Sequence, residues 1–131
     1  MIAIDTNVLV RFLTGDDARQ AARARRLFER AVGSSTSIFV SDIVLCEVVW
    51  VMSFSYKVGR RDVASSLRQL LHARHMTFFA PDALARALDR FVAGRGDFSD
   101  YLVAEHARAA GCSAVATFDK ALLGETGFVE P

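Results

Sequence analysis

The chain has 131 residues, 52% of them hydrophobic and 24% charged, and a formal net charge of +1. That length suits one domain with one solid core, spanning residues 1–131. The balance excludes a disordered chain, and no apolar run reaches the roughly 20 residues that cross a bilayer. With charge so nearly balanced, nucleic-acid binding has to come from local patches.

The N-terminus has no basic segment followed by a small-residue cleavage site, and Cys46 and Cys112 form no CxxC pair. A reducing, cytoplasmic setting is expected. Both thiols lie in apolar stretches ("VLCEVV", "AGCSAVA") and read as small core residues.

In chain order, "MIAI" reads as a strand and is followed by helical periodicity to about Val32. Next come "SIFV", helical patterns to about Arg74, "MTFF", two further helices, "AVATF" and a weak strand "FV" near Pro131. Alternation of this kind predicts an α/β fold with a parallel sheet covered by helices. In the second helical pattern, Ala21, Ala24, Leu27, Phe28 and Ala31 mark an apolar face. Arg19, Arg23, Arg26 and Arg30 form a stripe at steps of four, three and four, which is either a solvated face or a phosphate-contacting surface.

Ligands of open parallel sheets bind outside the carboxyl ends of the strands, so acids there carry the most information. Asp5, Asp42, Asp82 and Asp119 each follow an apolar run. Aspartate is also favoured at helix N-termini, where it accepts backbone N–H bonds. Asp82 behind Pro81, and Asp42 beside Ser41, fit that structural duty. In "GDFSDYLVAEHA" either Asp97 or Ser99 can cap, leaving Asp100 free of a required capping role.

Glu47 stands apart because Ile43, Val44, Trp50 and Val51, its neighbours on a helix, are all apolar, and no Lys or Arg lies between Arg30 and Lys57. On a buried face it needs a distant partner, a raised pKa or a cleft. If Asp5 and Asp119 end neighbouring strands while Glu47 and Asp100 reach in from helices, three or four carboxylates converge, and a divalent cation relieves their repulsion. Oxygen ligands favour Mg²⁺ or Mn²⁺, and phosphoryl transfer or hydrolysis of phosphodiesters follows naturally from such an ion. His72, His75 and His106 are isolated and read as surface or structural residues.

"IDTNVLVRFL", "LCEVVWVM", "DFSDYLVAEHARAAGC" and "VATFDKAL", in this order and spacing, resemble the PIN-domain nucleases, in particular the VapC-type toxins of toxin–antitoxin pairs. The resemblance runs nearly end to end. It implies a three-layer α/β/α sandwich with a central parallel sheet and a Mg²⁺- or Mn²⁺-dependent endoribonuclease. The implied acidic set is Asp5, Glu47, Asp100 and Asp119, with Asp5, Asp100 and Asp119 on the metal and Glu47 on the attacking water. Thr6, Asn7 and Thr117 match polar positions that support the pocket. Family members are commonly homodimers inhibited by a small VapB-type antitoxin, so the arginine stripe, where it is more than a solvated face, meets either RNA or antitoxin. Trp50, Phe54 and Tyr56 divide between core and partner contact.

Three other readings fit parts of the pattern. One is a PIN nuclease that processes RNA without a toxin role. Another is a receiver- or phosphatase-like domain in which Asp5 accepts a phosphoryl group, although no DxD or DD pair surrounds it. The third is an interaction module whose acids only cap helices.

Overall fold

A computed structural model describes all 131 residues, Met1–Pro131. It contains six helices and five short strands, and its contacts group into two compact units, Met1–Phe79 and Ala80–Pro131. The fold is α/β with parallel strands, as the alternation predicts, but the strands form two sheets. Each strand is two residues long, so each pairing rests on only a few ladder bonds.

The first unit begins with β1 (Ile2–Ala3), which pairs in parallel with β2 (Ile38–Phe39), and β2 pairs with β3 (Met76–Thr77). Ile2 faces Ile38 and Ile38 faces Met76, so the order is β1-β2-β3. The helical periodicity expected up to Val32 is carried by two helices, α1 (Thr6–Thr14) and α2 (Ala18–Gly33). Gly15 makes the break: at φ 68° it adopts the left-handed conformation that ends α1, and its amide bonds to the Arg11 carbonyl. Asp17 restarts the chain by accepting the Gln20 amide. Small residues Ala21, Ala24 and Ala31 are buried along α2, and Phe12 stacks on Phe28 with centroids 4.1 Å apart.

Ser41 caps α3 (Asp42–Phe54) through the Val44 amide, leaving Asp42 in the first turn. Leu45, Val48, Val49 and Met52 of α3 are buried, as are Val63, Ala64, Leu67 and Leu70 of α4 (Arg60–His72).

In the second unit Pro81 opens α5 (Pro81–Ala93), whose missing amide hydrogen costs nothing at that position, and Asp82 sits in the first turn as expected. Leu84, Ala87, Leu88 and Phe91 form its buried face toward α6 (Phe98–Ala109), which contributes Phe98, Tyr101 and Leu102. Parallel strands β4 (Val115–Ala116) and β5 (Phe128–Val129) complete the unit. The "FV" segment therefore is a strand. Cys46 is half-buried, and burial with the Asp42 and Glu47 charges pushes its thiol up to about 11. Cys112, expected in the core, is exposed because the chain turns at Gly111 (φ 89°) before β4 begins. His72 and His75 each place Nδ1 against a backbone carbonyl, of Arg68 and Thr36, which agrees with structural roles.

Candidate functional site

Asp5 follows β1 and starts α1. Its extended backbone (φ −92°, ψ 176°) turns the carboxylate back over the helix, and Oδ1 accepts the Val8 amide at 3.1 Å. Thr6, the next residue, donates its hydroxyl to Oε2 of Glu47 on α3. This bond ties the start of α1 to the middle of α3, so Asp5 and Glu47 are positioned by adjacent links of one connection. Asn7 lines a groove with Asp5, described below.

Glu47 is exposed, contrary to the burial its apolar neighbours suggest. Ile43 (72% exposed), Trp50 (58%) and Phe54 (53%) lie on its side of α3, so the stripe itself faces solvent while Leu45, Val48, Val49 and Met52 turn inward. Trp50 and Phe54 have ring centroids 5.4 Å apart. Tyr56 points elsewhere and donates its hydroxyl to Asp16.

In the second unit Asp100 does carry a capping duty. Its Oδ2 accepts the Asp97 amide at 2.7 Å, one half of a capping box at the start of α6. Burial pushes the Asp100 carboxyl above the usual aspartate range, and the charges of Asp97, Asp119 and Glu125 add to the rise, against the pull of the Asp97 amide. Asp119 follows β4. Thr117 accepts the Asp119 amide at 3.0 Å through its hydroxyl, and Asp119 Oδ1 accepts the Ala121 amide at 2.8 Å.

The four predicted acids are thus divided: Asp5 and Glu47 in the first unit, Asp100 and Asp119 in the second. No group of three or more His, Cys, Asp or Glu side chains is drawn together at metal-holding distances. Each acid nevertheless keeps one carboxylate oxygen clear of hydrogen bonds: Asp5 Oδ2, Glu47 Oε1, Asp100 Oδ1 and Asp119 Oδ2. Hard oxygen donors of this kind fit a Mg²⁺- or Mn²⁺-type ion better than zinc.

The first unit also contains a groove of about 570 Å³ between α1 and α2, lined by Asp5, Asn7, Val8 and Arg11 on one side and by Gln20, Arg23, Ala24, Arg26, Leu27 and Arg30 on the other. Arg23, Arg26 and Arg30 of the predicted stripe line it, and exposed Arg19 does not. Sequence reasoning passed over Arg11. Its Nε donates to Gln20 Oε1 at 2.8 Å, and Nη1 donates to Asp16 at 2.9 Å and to the Tyr56 hydroxyl at 3.2 Å. A lone cation ending the apolar run "NVLV" was the available signal.

Two further residues shape α6. Glu105 is buried and takes Arg86 at 2.9 Å and Arg108 at 3.1 Å. Tyr101 is fully buried, accepts the Gly96 amide at 2.9 Å and donates to Glu125.

Comparison with known proteins places these residues in a family context. A curated relative, the VapC ribonuclease of Aquifex aeolicus, is 24% identical over 120 residues, covering 92% of this chain and 88% of the relative. The crystal structure of the Mycobacterium tuberculosis VapC20 toxin, described as cleaving the sarcin–ricin loop, matches at 22% identity with a TM-score of 0.42, over all of this chain and 98% of that one. The PIN-domain family profile matches residues 2–128, a span that takes in Asp5, Glu47, Asp100 and Asp119 and almost the whole chain, so the protein belongs to the PIN-domain family.

Proposed function

We propose that this chain is a Mg²⁺- or Mn²⁺-dependent endoribonuclease that hydrolyses RNA phosphodiesters as the toxin of a VapC-type toxin–antitoxin pair. In this reading residues 1–131 are one PIN domain with a three-layer α/β/α architecture. The observation that carries it is the family match across residues 2–128 together with four acids that each keep a free oxygen. The curated VapC ribonuclease supports the toxin assignment.

Asp5, Asp100 and Asp119 are the residues that would hold the ion, which when bound polarises the scissile phosphate and offsets charge developing on it. Glu47 orients or deprotonates the attacking water, with its carboxylate steadied by the Thr6 hydroxyl. Thr117 fixes the backbone that carries Asp119, and Asn7 supports the pocket beside Asp5. A VapB-type antitoxin inhibits the enzyme, and the exposed apolar stripe of Ile43, Trp50 and Phe54 supports assembly with a second copy in the cytoplasm.

Incubating the protein with structured RNA and Mn²⁺, with and without EDTA, tests the reading. Cleavage that EDTA abolishes, leaving 5′-phosphate and 3′-hydroxyl ends, is expected, and Asp5→Asn should lose it while remaining folded. A 2′,3′-cyclic phosphate product, or full activity in Asp5→Asn, would refute the mechanism.

A further inference from the structure

From the groove between α1 and α2 we infer a phosphate track: Arg23, Arg26 and Arg30 take successive backbone phosphates of the RNA strand leading to Asp5, and Arg11 is the fixed cation of the opposite wall. The inference rests on the ribonuclease reading and deepens it by assigning a substrate subsite. Three observations support it.

First, the guanidinium groups of Arg23, Arg26 and Arg30 are exposed and have no carboxylate within ion-pair distance, although all three line one groove. Such uncompensated cations on one wall attract a polyanion. At a rise of about 1.5 Å per residue, the seven residues from Arg23 to Arg30 span roughly 10 Å along α2. At roughly 3.4 Å of axial rise per nucleotide in a stacked strand, three successive phosphates span about 7 Å, which fits within that length.

Second, Arg11 is held in place. Its bonds to Gln20, Asp16 and Tyr56 immobilise a side chain that is only 27% exposed, so its remaining donors point in a fixed direction at no further entropic cost. Nε is committed to Gln20 and Nη1 to Asp16 and Tyr56, which leaves the two N–H groups of Nη2 to donate to phosphate oxygens.

Third, the rest of the lining favours a nucleic-acid backbone over a peptide. Val8, Ala24 and Leu27 are its apolar lining and no aromatic residue lines it to anchor a side chain, while Asn7 and the Gln20 amide NH₂ add neutral polar groups for ribose or phosphate oxygens. The groove has the Asp5 carboxylate in its wall, so a strand bound along it approaches one of the predicted metal-holding acids.

The test is binding of a single-stranded RNA of about 12 nucleotides, in EDTA so that nothing is cleaved, followed by fluorescence anisotropy between 50 and 200 mM salt. Loss of three phosphate contacts lowers the slope of log K against log salt by about 2, at roughly 0.7 per contact. Across that range the wild type therefore loses about 20-fold more affinity than R23A/R26A/R30A. R25A/R61A/R74A, which removes three exposed arginines of the same unit outside the groove, should keep the wild-type slope. Circular dichroism checks that both triple variants are folded.

Equal slopes for the two triple variants, or no RNA binding by the wild type, would overturn the inference. So would a groove variant that keeps RNA binding but loses affinity for poly-glutamate, which would make the groove a site for an acidic protein. The two readings fail separately. A slope difference without metal-dependent cleavage refutes the nuclease and keeps the track, whereas cleavage with equal slopes refutes the track alone.

Discussion

Tyr101→Phe removes one oxygen from the most buried aromatic of the second unit and leaves its ring in place. That oxygen accepts the Gly96 amide at 2.9 Å and donates to Glu125 at 2.9 Å, joining the 94–96 turn, α6 and the segment before β5. The ring keeps its edge contact with Phe128 at 6.3 Å and the Arg90 guanidinium 5.0 Å above it, so lost packing adds little. A neutral hydrogen bond contributes about 1 kcal/mol and one to a charged group about 1.5–3 kcal/mol. The expected destabilisation is about 3 kcal/mol, which for a chain of this length lowers Tm by roughly 10 °C. Urea unfolding should show a lower midpoint with an unchanged m-value, because the surface buried on folding hardly changes. The double variant with Glu125→Gln should be less destabilised than the sum of the two single changes, since both break the same bond. A Tyr101→Phe protein within about 0.5 kcal/mol of wild type would refute the reasoning, because surface substitutions alone produce changes of that size.

Glu105→Gln tests the buried acid that anchors α6. Burial raises the Glu105 carboxyl, but the bonds from Arg86 and Arg108 outweigh it and hold the group below the ordinary value of 4.5. Its stabilising contribution is therefore complete above pH 4.5 and disappears as pH falls through the lowered folded value. Thermal melts should show the variant below wild type at pH 7 and the gap closing toward pH 3, and a constant gap would contradict the ion-pair account. Gly96→Ala puts a methyl group into Leu122 Cδ2 and within 3.2 Å of the Tyr101 ring, which should cost about 1–3 kcal/mol in urea titrations. Thr6→Val removes the hydroxyl that orients Glu47, and loss of such a supporting bond should lower RNA cleavage roughly 10–100-fold with little change in stability.

The alternation of apolar runs and helical periodicity made the α/β class and the first four strands legible, because a short apolar run between helical stretches reads as a strand, whereas the two-residue "FV" gave only a weak signal. The break between α1 and α2 did not read clearly. Apolar spacing continues across "TGDDA", and only Gly15 in the left-handed region with Asp17 as a new cap separates the helices. Glu47 misled for a related reason. Periodicity identifies which residues share a face but does not say whether that face meets the core, and α3 has apolar residues on both its buried and its exposed sides. The groove required tertiary structure, since α1 supplies Asp5-side residues such as Arg11 and α2 supplies the facing wall from Gln20 to Arg30. The acids were legible one at a time from their position after strands and within helices. Their hydrogen-bond duties were not, because each depends on the exact φ/ψ of the turn that follows.

Accepting a backbone amide, at a helix cap for Asp5 and Asp100 or in a turn for Asp119, and holding a metal are not competing explanations for these aspartates. A carboxylate offers two oxygens with about four lone-pair sites, and one backbone amide uses one of them. Asp5 Oδ1 accepts the Val8 amide, Asp100 Oδ2 accepts the Asp97 amide and Asp119 Oδ1 accepts the Ala121 amide, which restrains each side chain and leaves its other oxygen without a hydrogen bond. The cap in effect preorganises the ligand, because a side chain already held by the backbone loses less entropy when it takes an ion. This also decides which substitution is informative. Asparagine caps helices about as well as aspartate, so Asp5→Asn retains an acceptor for the Val8 amide and removes only the charge. Asp5→Ala removes both, at an added cost of about 1 kcal/mol of stability. If the cap were the residue's whole purpose, Asn would behave as wild type in every assay and Ala would fail in stability. If the free oxygen holds an ion, Asn loses metal-dependent cleavage at full stability, and the two functions of one side chain separate in a single pair of variants.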